Sequence, residues 1–212
     1  VSAEYSAARL YKAAEYSAET EADFLEMLRA CGEAEVKHRD GSGWTVLMQM
    51  ARYNDWPEAA AAVIERGCDV NAVTGTKDCV GWNAPDFTIC KDTALHYAAQ
   101  RDRHKTVKVL LKNGADPNIR NIFPNGWGST PLHNAAARGH EKTVKALLDR
   151  EDNRAYANIK DDRCSRTDLV LRRVCGKFPD QIAVANGFSE TANYIREKRQ
   201  SDPPLFHYWQ WN

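Results

Sequence analysis

This chain lacks the short patterns that mark common chemistries. No CxxC pair is present, which leaves a zinc ribbon or a thioredoxin-type redox site without support. GxSxG, P-loop and HExxH patterns are absent. No spacing nominates a Ser-His-Asp or Cys-His arrangement. The expectation is a non-enzymatic protein with no cofactor and no metal. Charge bias is lacking too. The 212 residues include 29 basic and 29 acidic side chains, and the pI is near 7.1. That argues against a nucleic-acid partner, whose binding surface shows as a basic excess or stripe. No apolar run approaches the roughly 18–20 residues that span a bilayer; the most apolar, AAAAVI at 59–64, is far shorter. A signal-peptide pattern is missing, but the chain begins at Val1 rather than methionine, so that absence excludes nothing.

What the sequence does have is 43% hydrophobic content, enough for a real core, and internal repetition. Three stretches align: TVLMQMARYNDWPEAAAAVIERGCDVN (Thr45 to Asn71), TALHYAAQRDRHKTVKVLLKNGADPN (Thr93 to Asn118) and TPLHNAAARGHEKTVKALLDR (Thr130 to Arg150). Weaker copies are FPDQIAVANGFSETANYI (Phe178 to Ile195) and LYKAAEYSAETEADFLEMLRACG (Leu10 to Gly32). Thr45, Thr93 and Thr130 suit the first-turn cap of a short helix. Leu95, Ala98 and Ala99 then mark one face, as do Leu132, Ala135 and Ala136, and the small alanines admit a neighbouring helix. Gly139 and Gly187 stand where a left-handed residue ends that helix. A second helix follows, with Val107, Leu110 and Leu111, or Val144, Leu147 and Leu148, at 3–4 spacing. One pair cannot bury its own face; stacked pairs can.

These residues resemble the ankyrin-repeat family. The resemblance is strong over Thr93–Asn118 and Thr130–Leu148, good over Thr45–Asn71, and degenerate at both ends, where terminal repeats present a wetter face. The second unit departs from the pattern, with Met48 in place of histidine and Pro57 within the turn. The resemblance implies an all-α solenoid of about five helix pairs with extended β-hairpin or loop fingers. The expected division is a repeat domain over 1–200, with units near 6–40, 41–77, 92–122, 129–162 and 177–199. An aromatic tail follows at 201–212. The resemblance makes His96 and His133 structural hydrogen-bonding groups, while His104 and His140 are expected in solvent. The REKR run at 196–199 reads as a solvated helix end.

Successive unit starts at Thr45, Thr93, Thr130 and Phe178 lie 48, 37 and 48 residues apart, against about 33 for an ankyrin unit. The two long excesses fall in inserts at 76–91 and 161–176, where the family's fingers project. Each contains a twelve-residue segment closed by cysteines, CVGWNAPDFTIC (Cys79 to Cys90) and CSRTDLVLRRVC (Cys164 to Cys175). The same bracket around unrelated sequences favours a disulfide within each insert. On the chain-entropy account each would stabilise its loop by roughly 3 kcal/mol. Free thiols are the alternative and the default for a cytosolic protein; a metal needs more ligands than each loop offers.

By the same resemblance, a protein partner would be held on the concave surface and fingers. The positions there are Trp44, Ser129, Arg52, Tyr53, Gln100, Arg101, Ala137 and Arg138, joined by the insert aromatics Trp82, Phe87, Phe123 and Trp127. Arginine suits carboxylate recognition, so the expected partner presents an acidic, partly apolar surface. The functional expectation is a non-catalytic protein-binding module, monomeric when free. Its more specific form is an exported, periplasmic immunity protein or inhibitor that neutralises a toxic effector. The alternative is a cytosolic adaptor or host-directed secreted effector with reduced cysteines.

Overall fold

A computed structural model describes residues 3–17, 20–75, 91–121, 128–149, 155–161 and 176–200. Helix α1 (Ala3–Lys12) runs into one π-helical turn (Ala13–Ser17) and is followed by α2 (Glu21–Arg29) and the short α3 (Glu33–Lys37). Four helix pairs come next: α4 (Val46–Tyr53) with α5 (Pro57–Glu65), and α6 (Ala94–Gln100) with α7 (His104–Lys112). Then come α8 (Pro131–Ala136) with α9 (Glu141–Leu148), and α10 (Pro179–Ala185) with α11 (Ser189–Gln200). The described residues contain no β-strand. The π-helical turn, α4, α6, α8 and α10 stack on one another as a first layer, and α2, α5, α7, α9 and α11 as a second.

The sequence explains the pairs. Thr45, Thr93 and Thr130 are the N-caps of α4, α6 and α8; an extended residue there with a side-chain oxygen meets N–H groups the helix cannot satisfy itself. Pro57 is the first residue of α5, where its missing N–H costs nothing. In three of the four pairs, all but α4–α5, the chain passes from first to second layer through the left-handed region. Gly139 (φ 68) and Gly187 (φ 85) supply it with glycine, and Asp102 (φ 55) occupies the same place without one. A short polar side chain tolerates that conformation, and the Asp102 carboxylate is held by the Thr143 hydroxyl of the next pair at 2.8 Å.

The core is a continuous seam between the layers. Leu47, Leu95 and Leu132 are fully buried in the first, and Val63, Leu110 and Leu147 in the second. Ala51, Ala98, Ala99, Ala135 and Ala136 are fully buried as well, where adjacent first-layer helices pack together. Phe24 and Trp56 pack with ring centres 5.9 Å apart and fill the seam at its N-terminal end.

The joints between units carry a hydrogen-bond code. His96 accepts at Nδ1 from the Thr93 N–H (3.2 Å) and contacts its hydroxyl (2.9 Å), while Nε2 meets the Ser129 carbonyl at 3.1 Å. His133 repeats this with Thr130 (3.2 and 2.8 Å) and the Lys177 carbonyl (3.2 Å). Each pattern fits a neutral ring protonated at Nε2. In both, the acceptor precedes the N-cap of the next first-layer helix. At the first joint a tyrosine takes this place: the Tyr11 hydroxyl reaches the Trp44 and His38 carbonyls at 2.6 and 2.9 Å.

A second recurring contact closes the base of four connections between units. The N–H groups of Asp40, Thr74, Asn121 and Asp161 donate to the carbonyls of Trp44, Asp92, Ser129 and Lys177 at 3.0–3.1 Å. The N–H of each latter residue returns a bond to the side-chain oxygen of the former at 2.7–3.1 Å. The paired residues lie 4, 18, 8 and 16 positions apart. One latch therefore serves loops of very different length, including both cysteine-bearing inserts. Arg39 and Arg120, each just before a latch residue, tie one latch to the next through the Val73 and Lys160 carbonyls.

Three details correct the sequence reading. His104 and His140 are half-buried rather than solvated. His104 Nδ1 lies 3.9 Å from the Asp55 carboxylate, and His140 Nε2 lies 3.2 Å from the Gln100 carbonyl. Ser129 is buried in its latch and does not line an open strip. Arg196 and Arg199 are not merely solvated, since both reach the buried Asp180 carboxylate, at 3.5 and 2.5 Å.

Candidate protein-binding surface

Tyr53, Arg101 and Arg138 occupy one equivalent position in three consecutive helix pairs, at or just beyond the ends of α4, α6 and α8. Arg101 and Arg138 are exposed, and among the described residues neither side chain carries an ion pair or hydrogen bond. Tyr53 is half-buried, and its carbonyl is held by Arg103 Nη2 at 2.7 Å. Gln100 is half-buried beside Arg101, with its carbonyl taken by His140.

Trp44, Arg52 and Tyr53 come together. The Arg52 guanidinium lies 5.5 Å from the Trp44 ring centre and 5.3 Å from that of Tyr53, within cation–π range. Trp44 stacks on Tyr97 with centres 4.6 Å apart and planes 28° apart. Tyr97 is a member of this cluster that the repeat alignment does not single out. It follows the histidine of the TxLH stretch, at the position held by Gln49 and Asn134 in neighbouring units, so no shared residue type marks it. Burial, and then the nearby Asp92 carboxylate, push its hydroxyl well above the usual tyrosine range, against the opposing effect of a hydrogen bond with the Thr74 side chain. The cluster is thus a pre-packed apolar plate edged by one arginine. Stacking fixes its rings before any partner arrives, which lowers the entropy cost of binding.

Trp82, Phe87, Phe123, Trp127 and the four cysteines Cys79, Cys90, Cys164 and Cys175 lie outside the described residues, as does the tail at 201–212. Cys31 and Cys68 are free thiols. Burial raises both thiols above the usual range, and Cys31 donates to the Met27 carbonyl at 3.3 Å. Among the described residues no group of three His, Cys, Asp or Glu side chains is gathered to hold a metal ion. Among the described residues no helix is long and apolar enough to cross a membrane.

Comparison with known proteins agrees with this geometry. A family profile described as "Ankyrin repeats (3 copies)" matches residues 10–121, and one described as "Ankyrin repeats (many copies)" matches 95–148. The chain belongs to the ankyrin-repeat family, whose repeats form a general protein–protein interaction module. Among curated relatives, a probable E3 ubiquitin-protein ligase of Oryza sativa subsp. japonica, XBOS34, is 35% identical over 100 residues, 47% of this chain and 17% of that protein. The human ankyrin repeat and KH domain-containing protein 1 is 32% identical over 89 residues, 42% of this chain and 3% of that protein. A putative ankyrin repeat protein of Acanthamoeba polyphaga mimivirus, L92, is 28% identical over 99 residues, 44% of this chain and 21% of that protein. The similarity thus covers less than half of this chain and a small part of each relative.

Proposed function

We propose that this protein binds a protein partner through the face that carries Trp44, Arg52, Tyr53, Gln100, Arg101 and Arg138, without catalysing a reaction. The observation that carries the reading is a pair of exposed, unpartnered arginines in register with a pre-stacked aromatic plate. Some other arginines are engaged, Arg199 with Asp180 and Arg66 with the Leu28 and Cys31 carbonyls, whereas Arg9 in α1 and Arg29 in α2 are exposed like Arg101 and Arg138. Arg101 and Arg138 are left for an external acceptor. A planar guanidinium favours carboxylates in bidentate geometry, and the plate favours an apolar neighbour, so the partner presents an acidic, partly apolar surface. Interfaces concentrate their energy in such aromatic and arginine positions.

The test is affinity capture of the partner from the native source, then titration against the double variant Arg101→Ala/Arg138→Ala. Binding weakens by more than about tenfold if two charge-assisted contacts are lost. Unchanged affinity places recognition in the inserts instead.

The more specific form of the proposal is an exported inhibitor or immunity protein, monomeric when free, held in an oxidising compartment such as the periplasm. What supports it is the same cysteine bracket in two unlike inserts, both leaving from the same latch. Alkylation under denaturing, non-reducing conditions then labels only Cys31 and Cys68, and reduction exposes all six cysteines. Six labelled thiols without reductant instead favour the cytosolic adaptor or host-directed effector.

A further inference from the structure

A cleft of about 640 Å³ runs along the second layer between α7 and α9. Its cations are Lys108 and Lys112 from α7 and Lys142 and Lys145 from α9, with Val109 and Ala146 between them. All four lysines are exposed. Among the described residues, Lys108, Lys112 and Lys142 carry no ion pair or hydrogen bond, and Lys145 sits 5.6 Å over the Tyr194 ring. The one lining carboxylate, Asp149, is already engaged by Lys198 at 2.9 Å and by the Tyr194 hydroxyl. Burial alone would raise its pKa, but these bonds and Lys145 hold it below the usual range. It therefore stays charged and committed, and the four lysines face one another with little compensation.

This concentration is local. On α5 the positions equivalent to Lys105 and Lys112 are Glu58 and Glu65, and on α11 the equivalent of Lys142 is Glu190. The lining lysines come from these two helices alone, with Glu65 and Glu190 at equivalent positions on the helices beside them and Lys198 of α11 at the Asp149 edge. Like charges at i, i+4, such as Lys108 and Lys112, disfavour the helix, whereas Lys37 four residues after Glu33 is paired at 2.8 Å. The cleft volume lies within the range of small-molecule sites. Its cations are ammonium groups rather than guanidinium forks, which suits phosphate oxygens arriving from several directions. An extended polyanion would meet the flanking glutamates; a compact one would not.

We propose that the α7–α9 cleft binds a small soluble ligand bearing clustered phosphates. The site is independent of the partner-binding face, because its residues lie on the other helix layer.

Isothermal titration of the full chain with inorganic tripolyphosphate in about 0.15 M salt, where exposed charges are screened beyond about 8 Å, tests it. Saturable binding at one site is expected. The variant Lys108→Ala/Lys142→Ala weakens it by at least about tenfold, the scale of two lost charge-assisted hydrogen bonds. Arg101→Ala/Arg138→Ala leaves it within about twofold, as expected for distant, independent sites. Circular dichroism establishes that both variants keep their helices; if the alanine pair does not, Lys108→Gln/Lys142→Gln is read in its place. Four results overturn the proposal: no saturable binding, equal losses in the two double variants, a hexaglutamate peptide binding as tightly as tripolyphosphate, or Lys108-dependent binding confined to vesicles of anionic phospholipid.

Discussion

His96 shows how much one residue does in this fold. Its ring caps its own helix through Thr93 and reaches forward to the Ser129 carbonyl of the next unit. Full burial disfavours the imidazolium and lowers the pKa from its ordinary value near 6.5, against the opposing pull of the Asp92 carboxylate and the Ser129 and Ile119 carbonyls. The unfolded chain therefore takes up a proton at higher pH than the folded one. Stability from this group is fully present above about pH 6.5 and is lost as pH falls toward the folded-state pKa. Asp92, whose carboxyl is pushed up by burial despite His96 and Asn121, acts in the opposite direction at lower pH. Urea unfolding of wild type should thus weaken between about pH 7 and 5.5, and His96→Gln should flatten that slope. An unchanged slope would place the titration elsewhere. The histidine's role was legible in the TxLH stretch. The tyrosine that replaces it at the first joint was not, because Tyr11 lies in a unit too degenerate to align at that position.

At the scale of elements, helices were the readable part. Threonine caps, paired alanines and 3–4 spacing of valine and leucine leave little choice about α4 to α9 in a chain of this composition. The latch residues were hidden because Asp40, Thr74, Asn121 and Asp161 share no single residue type, only a short side chain whose oxygen reaches the partner N–H. Asn121 is the most committed of them. Its Oδ1 accepts from the Ser129 N–H and its Nδ2 donates to the Asp92 carboxylate, both at 2.8 Å and all buried. Asn121→Ala leaves a buried donor and a buried carboxylate oxygen unpaired. A loss of about 2–4 kcal/mol in urea unfolding is expected. A loss below about 0.5 kcal/mol, the scale of an ordinary surface change, would show that the latch is incidental to the joint. The latch also explains how inserts of such different length are accommodated. Loop closure is enforced at the base, so additional residues cost only a slowly growing entropy term.

The whole molecule divides its two layers by chemistry. The first layer carries the aromatic plate with Arg52, Arg101 and Arg138, and the second carries the lysine cleft. The repeat pattern made the solenoid and the arginine positions readable. It could not reveal the Trp44–Tyr97 stack, formed by residues more than fifty positions apart, or the lysine cleft. In a chain of zero net charge the cleft appears only when α7 and α9 lie side by side. The central claim is that a protein partner docks on the first-layer face. Photo-crosslinking the captured partner tests it most directly, with the reactive side chain placed in turn at Tyr53, Arg101, Arg138, Lys108 and Lys142. Adducts from Tyr53, Arg101 and Arg138 and none from Lys108 or Lys142 are predicted. Adducts confined to the two lysine positions would contradict the account.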